Sequence, residues 1–150
     1  EYSIFSRDIE VDVIPACLEV GASLVAYSPL GRGMLTGRFR AEKLSEGDWR
    51  STTPRFQGEA YAANVALADE IEAVASAKSC TPAQIALAWV IGHGEHIMTL
   101  TGTTKLENLK ANLDACDVVL SHNERMTLDA LAGRVMGDRY DKWGMAGING

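Results

Sequence analysis

The stretch Leu24-Val25-Ala26-Tyr27-Ser28-Pro29-Leu30-Gly31-Arg32-Gly33-Met34-Leu35-Thr36-Gly37 constrains this chain most. Consecutive apolar residues predict a strand over 23–27, and Ser28-Pro29 ends it, because proline cannot donate to a strand ladder. The glycines that follow let backbone N–H groups approach a ligand closely. Ser28 adds a hydroxyl, Leu30 to Gly33 add backbone donors, and Arg32 and Arg38 add cations. Tyr27 ends the strand and offers an aromatic face to a flat ring. A phosphate or dinucleotide site needs such an arrangement, although a tight strand exit with surface arginines has the same composition.

A second stretch repeats the pattern. Ile97 to Leu100 predicts a short apolar strand, and Thr101-Gly102-Thr103-Thr104 turns into a helix with Thr104 and Glu107 as its capping box. The free N–H groups and positive dipole end of such a helix form an anion site. Lys105 adds charge there, and Asn108 and Asn112 lie on the turns above it. A well-capped helix with no ligand is the competing reading. In a parallel α/β sheet both stretches fall past the C-terminal ends of strands, on one rim, where they can hold one extended phosphate-bearing ligand.

The remaining elements fit this frame. Residues 1–5 read as the end of a strand, and Asp8 as the cap of a helix over 9–20 that Gly21 stops. Residues 28–58 form a long connection rich in Gly, Arg, Ser, Thr and Pro, read as a lid over the ligand. A helix over 59–79 follows, with Val65, Ile71, Val74 and Ala75 as its buried face. Thr81-Pro82-Ala83-Gln84 is a capping box with proline at the first helical position, opening a largely buried helix to Gly92. Ser121 with Glu124 starts the last clear helix, and a Gly- and Met-rich tail (about 134–150) is expected to cover surface. Alternating strands and helices imply a parallel sheet. Its consecutive apolar residues imply burial on both faces. Three strands make a poor independent sheet, so the chain reads as part of a larger barrel.

Composition excludes several function classes. A formal charge of −6 over 150 residues argues against nucleic acid and anionic membranes as partners. No apolar run reaches the roughly 18 residues of a membrane helix. The N-terminus shows no signal region. Cys17, Cys80 and Cys116 are far apart and odd in number, so they read as buried free thiols of a reduced, cytoplasmic protein. His93, His96 and His122 lack metal-ligand spacing and read as surface residues, leaving no metal site. No acid, base or nucleophile grouping is visible. This is the composition of a binding half.

Taken together, the motifs resemble the C-terminal half of an aldo-keto reductase, in the branch with bacterial and fungal reductases and potassium-channel β subunits. The matching residues are Glu1-Tyr2-Ser3, Ala26 to Gly33 with Leu35-Thr36-Gly37, Pro54-Arg55-Phe56, Thr81 to Trp89, Gly102-Thr103 with Asn112, and Gly137-Asp138-Arg139-Tyr140. The resemblance implies an α/β fold that is the C-terminal part of a (β/α)8 barrel, with a single domain over 1–150. It implies an oxidoreductase that reduces a small aldehyde or ketone by hydride transfer from NADP(H). Tyr27 would stack on the nicotinamide, and Ser28, Pro29, Leu30, Gly31 and Arg32 would line the pyrophosphate, with Arg38 as a clamp. The loop holding Arg50 and Arg55 would fold over the cofactor. Gly102, Thr103 and Thr104 would hold the adenosine-side phosphate, and Asn108 and Asn112 would approach the adenine.

Thr101, Thr104 and Ala111 stand where the family often has Pro, Lys and Glu, which leaves NAD(H) open as a cofactor. The family's catalytic Asp, Tyr, Lys and His would come from strands before residue 1. The missing N-terminal half of the barrel is then the implied partner, and the segment alone is expected to be inactive. A non-catalytic nucleotide-sensing or scaffold subunit on the same fold is the alternative, and an unrelated α/β phosphate-binding module is a third.

Overall fold

The computed structural model describes residues 1–40 and 44–148. Positions 41–43 of the expected lid and 149–150 of the expected tail lie outside the described residues. Two short strands, β1 (Leu24–Tyr27) and β2 (Ile97–Leu100), pair in parallel, with Leu24 opposite Ile97 and Tyr27 opposite Leu100. Between them run a chain of 3-10 turns and two helices, α2 (Gly58–Ala77) and α3 (Pro82–Ile91). Helix α1 (Val13–Val20) precedes β1, and α4 (Leu106–Asp114), α5 (His122–Asp129) and α6 (Lys142–Ala146) follow β2. Alternation of β-structure and helix is thus present. Among the described residues, however, the sheet has two strands rather than three. The N-terminal segment makes only an isolated bridge between Ser3 and Ser6, while Tyr2 N donates to Tyr27 O at 3.3 Å along the edge of β1.

Local chemistry explains most boundaries. Thr81 and Gln84 form the expected reciprocal capping box with Pro82 at the start of α3, and Ser121 with Glu124 does the same for α5. Helix α3 is buried nearly all round, including Ile85, Leu87, Trp89 and Val90, as its continuous apolar sequence requires. On α2 the buried face contains Leu67, Ile71 and Ala75, with Val65 and Val74 packed at its margin. Together with Tyr2, Ile4, Leu128 and Leu131 these residues form the core.

Five expectations are corrected. Asp8 does not cap a helix over 9–20. A 3-10 turn (Asp8–Glu10) comes first, α1 begins later with the side chain of Asp12 accepting from Val13 N at 2.6 Å, and Asp8 pairs with Arg139. The Thr104–Glu107 box does not form either. Helix α4 has no side-chain cap, because Thr103 Oγ1 accepts from Lys105 N at 3.1 Å and lies 3.4 Å from Asn108 Nδ2, ending the turn one residue later. The sheet is buried on one face only: Ala26 and Ile97 point into the core, while Val25, Tyr27, Met98 and Leu100 remain exposed. Finally, Cys116 is exposed and the other two thiols are half-buried. His93 is drawn inward, its ring 4.2 Å from Trp89 and its Nδ1 2.6 Å from Trp89 O.

Candidate nucleotide groove

Because β1 and β2 are parallel neighbours in register, the loops after Tyr27 and Leu100 leave the sheet side by side. The first loop is unusual in its backbone. Ser28, Gly31, Arg32 and Gly33 all have positive φ, at 52°, 55°, 57° and 94°. For Ser28 and Arg32 this left-handed conformation is strained, and such strain concentrates at ligand sites. Gly33 also packs against the lid: the position of its missing Cβ lies at ordinary contact distance, 3.4 Å from the Arg50 guanidinium and 3.5 Å from the Phe39 ring. The turn therefore brings an arginine from the expected lid against the backbone, where Arg50 Nη1 donates to Arg32 O at 3.0 Å.

Between the two loops lies an open groove of about 710 Å³. It is lined by Ser28, Pro29, Leu30, Arg32, Arg38, Gly102, Thr103, Asn108 and Asn112, which brings together nine of the residues singled out from sequence. Gly31 is buried beneath the turn, Thr104 lies exposed beside the rim, and Tyr27 ends the strand below Ser28. These three do not line the groove. Its charge is one-sided: Arg32, Arg38, Arg50 and Lys105 line it, and among the described lining residues there is no carboxylate. In a chain of net charge −6 this is a local inversion, and cations in a concave, partly desolvated site attract an anion more strongly than in open water.

The cations are not equivalent. Arg38 is exposed on the groove wall. Arg50 is gripped by Asp48, whose carboxylate accepts from its backbone N–H, Nε and Nη2. These bonds hold the Asp48 carboxyl down at about 2. Arg32, expected on the pyrophosphate, is largely engaged within the protein. Its side chain is only 7% exposed and pairs with Glu1 at 2.8 Å. Arg55 lies outside the groove, donating to Phe5 O at 3.0 Å and Ser6 Oγ at 2.8 Å.

The family profile of the aldo/keto reductases matches residues 1–132. The chain belongs to the aldo/keto reductase family. Among solved structures it is similar to the glycerol dehydrogenase of Gluconobacter oxydans, at 28% identity and a TM-score of 0.81, over 94% of this chain and 43% of that one. It is also similar to an aldo/keto reductase from Klebsiella pneumoniae in complex with NADP and acetate, at 29% identity and a TM-score of 0.61, over 93% and 41%. A Klebsiella pneumoniae aldo-keto reductase in complex with NADPH matches at 30% identity and a TM-score of 0.61, over 93% and 40%. The chain thus spans about two-fifths of the length of these structures, and its α/β fold with a small parallel sheet is a partial barrel.

In this aldo/keto reductase chain, two parts of the groove have no clear signal in the sequence. Thr81 and Ala83, at the start of α3, line its wall, although their capping box reads only as a helix start. Trp49 lines a smaller cavity of about 470 Å³ that shares Ser28, Arg32 and Arg50 with the groove. An Asp-Trp-Arg triplet in a long loop does not announce that position. No metal-binding group of His, Cys, Asp or Glu occurs among the described residues, and none of their helices is long and apolar enough to cross a membrane.

Proposed function

We propose that this chain supplies most of the NADP(H) site of an oxidoreductase that reduces aldehydes or ketones to alcohols, built as the C-terminal half of a (β/α)8 barrel. One observation carries the reading: a cationic groove without a described carboxylate, formed where two neighbouring parallel strands end. Its volume falls in the range of roughly 300–1,000 Å³ typical of small-ligand sites. Its donor set fits a dinucleotide phosphate, with left-handed backbone at Ser28, Arg32 and Gly33 on one wall. The uncapped first turn of α4 stands on the other.

In this reading Tyr27 carries the nicotinamide, Ser28 to Leu30 face the pyrophosphate, and Gly102 with Thr103 takes the adenosine side. Asn108 and Asn112 meet the adenine. Arg38 and Lys105 hold the 2′-phosphate, the task for which the family's lysine is replaced by Thr104. The nicotinamide supplies the hydride. A proton donor must come from elsewhere. The described groove lining contains no Asp, Glu, His, Tyr or Cys, and the Tyr27 phenol, pushed up to about 12, is a weak acid. The remaining strands of the barrel, as partner, would bring it, together with the pocket for a small carbonyl substrate. The protein alone is therefore expected to bind NADPH without oxidising it in the presence of an aldehyde.

Calorimetric titration with NADPH and NADH tests the assignment. NADPH is expected to bind more tightly, and Arg38→Ala with Lys105→Ala to remove the difference. A charged hydrogen bond contributes about 1.5–3 kcal/mol, hence more than tenfold in affinity. Equal binding of both nucleotides by the unaltered protein would refute the 2′-phosphate role.

A further inference from the structure

Residues 136–140, Met-Gly-Asp-Arg-Tyr, have no regular secondary structure, yet they are tied down at four successive points. Met136 is held by the fully buried Asn64 of α2, which donates to Met136 O at 2.8 Å and accepts from Met136 N at 3.0 Å. Gly137 follows with φ of 82°, so close to the lid that a Cβ would lie 2.9 Å from Pro54 C and 3.0 Å from Arg55 N. Arg139 is buried and places both terminal nitrogens on Asp8 at 3.1 and 3.0 Å, while its carbonyl accepts from Arg32. Tyr140 ends the run. The Arg32 guanidinium lies 4.5 Å from the centre of its ring, and its hydroxyl is 3.3 Å from that of Tyr27. The tail does run over the surface here, with Met136, Gly137 and Asp138 exposed, but it is an anchored strap whose Arg139 is buried and whose Tyr140 is half-buried.

The strap ends at one functional residue. Tyr27 stands at the exit of β1 on the open face of the sheet, 39% exposed. Its ring has two free torsions, and a hydrogen bond at the far end of the ring restrains both. Tyr140 supplies that bond. It is itself held by Arg32, which Glu1 fixes in turn at 2.8 Å. We infer that Tyr140 is a positioning residue that, through the strap, fixes the Tyr27 ring and so orders the nicotinamide end of the groove while leaving the phosphate end alone. The inference rests on the proposed nucleotide site. Ordering one rotatable side chain in advance changes affinity by about two- to tenfold.

The test compares NADPH with adenosine 2′,5′-bisphosphate, which carries the phosphate end and no nicotinamide, by calorimetry on the unaltered protein, Tyr140→Phe and Tyr140→Ala. Tyr140→Phe keeps the ring under Arg32 and loses only the hydroxyl, so it remains informative if the alanine variant does not fold. NADPH is expected to bind about two- to tenfold more weakly to the variants, with the bisphosphate unchanged. Equal losses for both ligands would mark Tyr140 as merely structural, and no loss for either would show that Tyr27 needs no restraint. Each result overturns the inference. If the unaltered protein binds neither ligand, the nucleotide reading itself fails and this inference falls with it. A ligand-free readout accompanies the titrations: Tyr140→Phe should lower the Tyr27 phenol from about 12 toward its ordinary value of 10.0.

Discussion

Asp48 and Arg50 show how a single ion pair shapes the groove. The carboxylate binds both the backbone and the side chain of Arg50, leaving Nη1 free to reach Arg32 O and so join the lid to the strand exit. Because the folded carboxyl sits at about 2 against an ordinary 3.8, its stabilising effect is complete above pH 3.8 and is lost as pH falls through about 2. A carbon-detected titration of Asp48 should show that low midpoint. Asp48→Asn removes the charge, and limited proteolysis with trypsin should then cut faster after Arg50. An unchanged cleavage rate would mean that the loop is fixed by other contacts. Tyr27 titrates in the opposite sense. Burial, then the bond to Tyr140, raises its phenol to about 12, so its contribution to stability is complete below pH 10.0 and lost between there and about 12. Ultraviolet difference titration of the protein against Tyr27→Phe measures this directly.

Between elements, the decisive contact is Asn64 of α2, which donates to Arg55 O as well as pairing with both backbone groups of Met136. Asn64→Ala removes three hydrogen bonds to part-buried backbone groups, each contributing about 0.5–1.5 kcal/mol net, so the denaturant midpoint should fall. Gly137→Ala should also destabilise, by at least about 1–2 kcal/mol for the left-handed backbone and more for the clash with Pro54. A neutral result at either position would show that the strap is not anchored there. None of this was legible in the sequence, because Asn64 is a lone polar residue in a helical pattern and its partner is 72 positions away. What was legible is local. The capping boxes at Thr81 and Ser121, the apolar runs of β1 and β2, and the glycine turn after Ser28 are each specified by adjacent residues. The failures were failures of competition: Asp12 outcompetes Asp8 as a cap, and the turn bond from Lys105 N to Thr103 leaves α4 without the Thr104 cap. The position of Arg32 was predictable, but its engagement by Glu1 and Tyr140 joins both ends of the chain and has no local signal.

At the scale of the whole molecule, the open face of the sheet governs behaviour. Side chains alternate along a strand, and the register sets Val25 beside Met98 and Tyr27 beside Leu100, so four large residues share one face. They are 54%, 50%, 39% and 59% exposed in that order. Such a contiguous apolar patch on a two-stranded sheet is unusual for an isolated soluble unit. It follows directly from a partial barrel, whose inward side chains lack opposing strands. Isolated in solution, the chain should therefore self-associate through this face, and its sedimentation mass should rise above 16.2 kDa with concentration. The net charge of −6 opposes association, so added salt should strengthen it. Val25→Glu with Met98→Lys places opposite charges side by side on the face, a pairing the sheet tolerates. That double variant should stay monomeric at all salt concentrations. A monomeric unaltered protein, or association that survives the two substitutions, would mean that another surface controls assembly, such as the exposed leucines Leu106, Leu109 and Leu113 of α4.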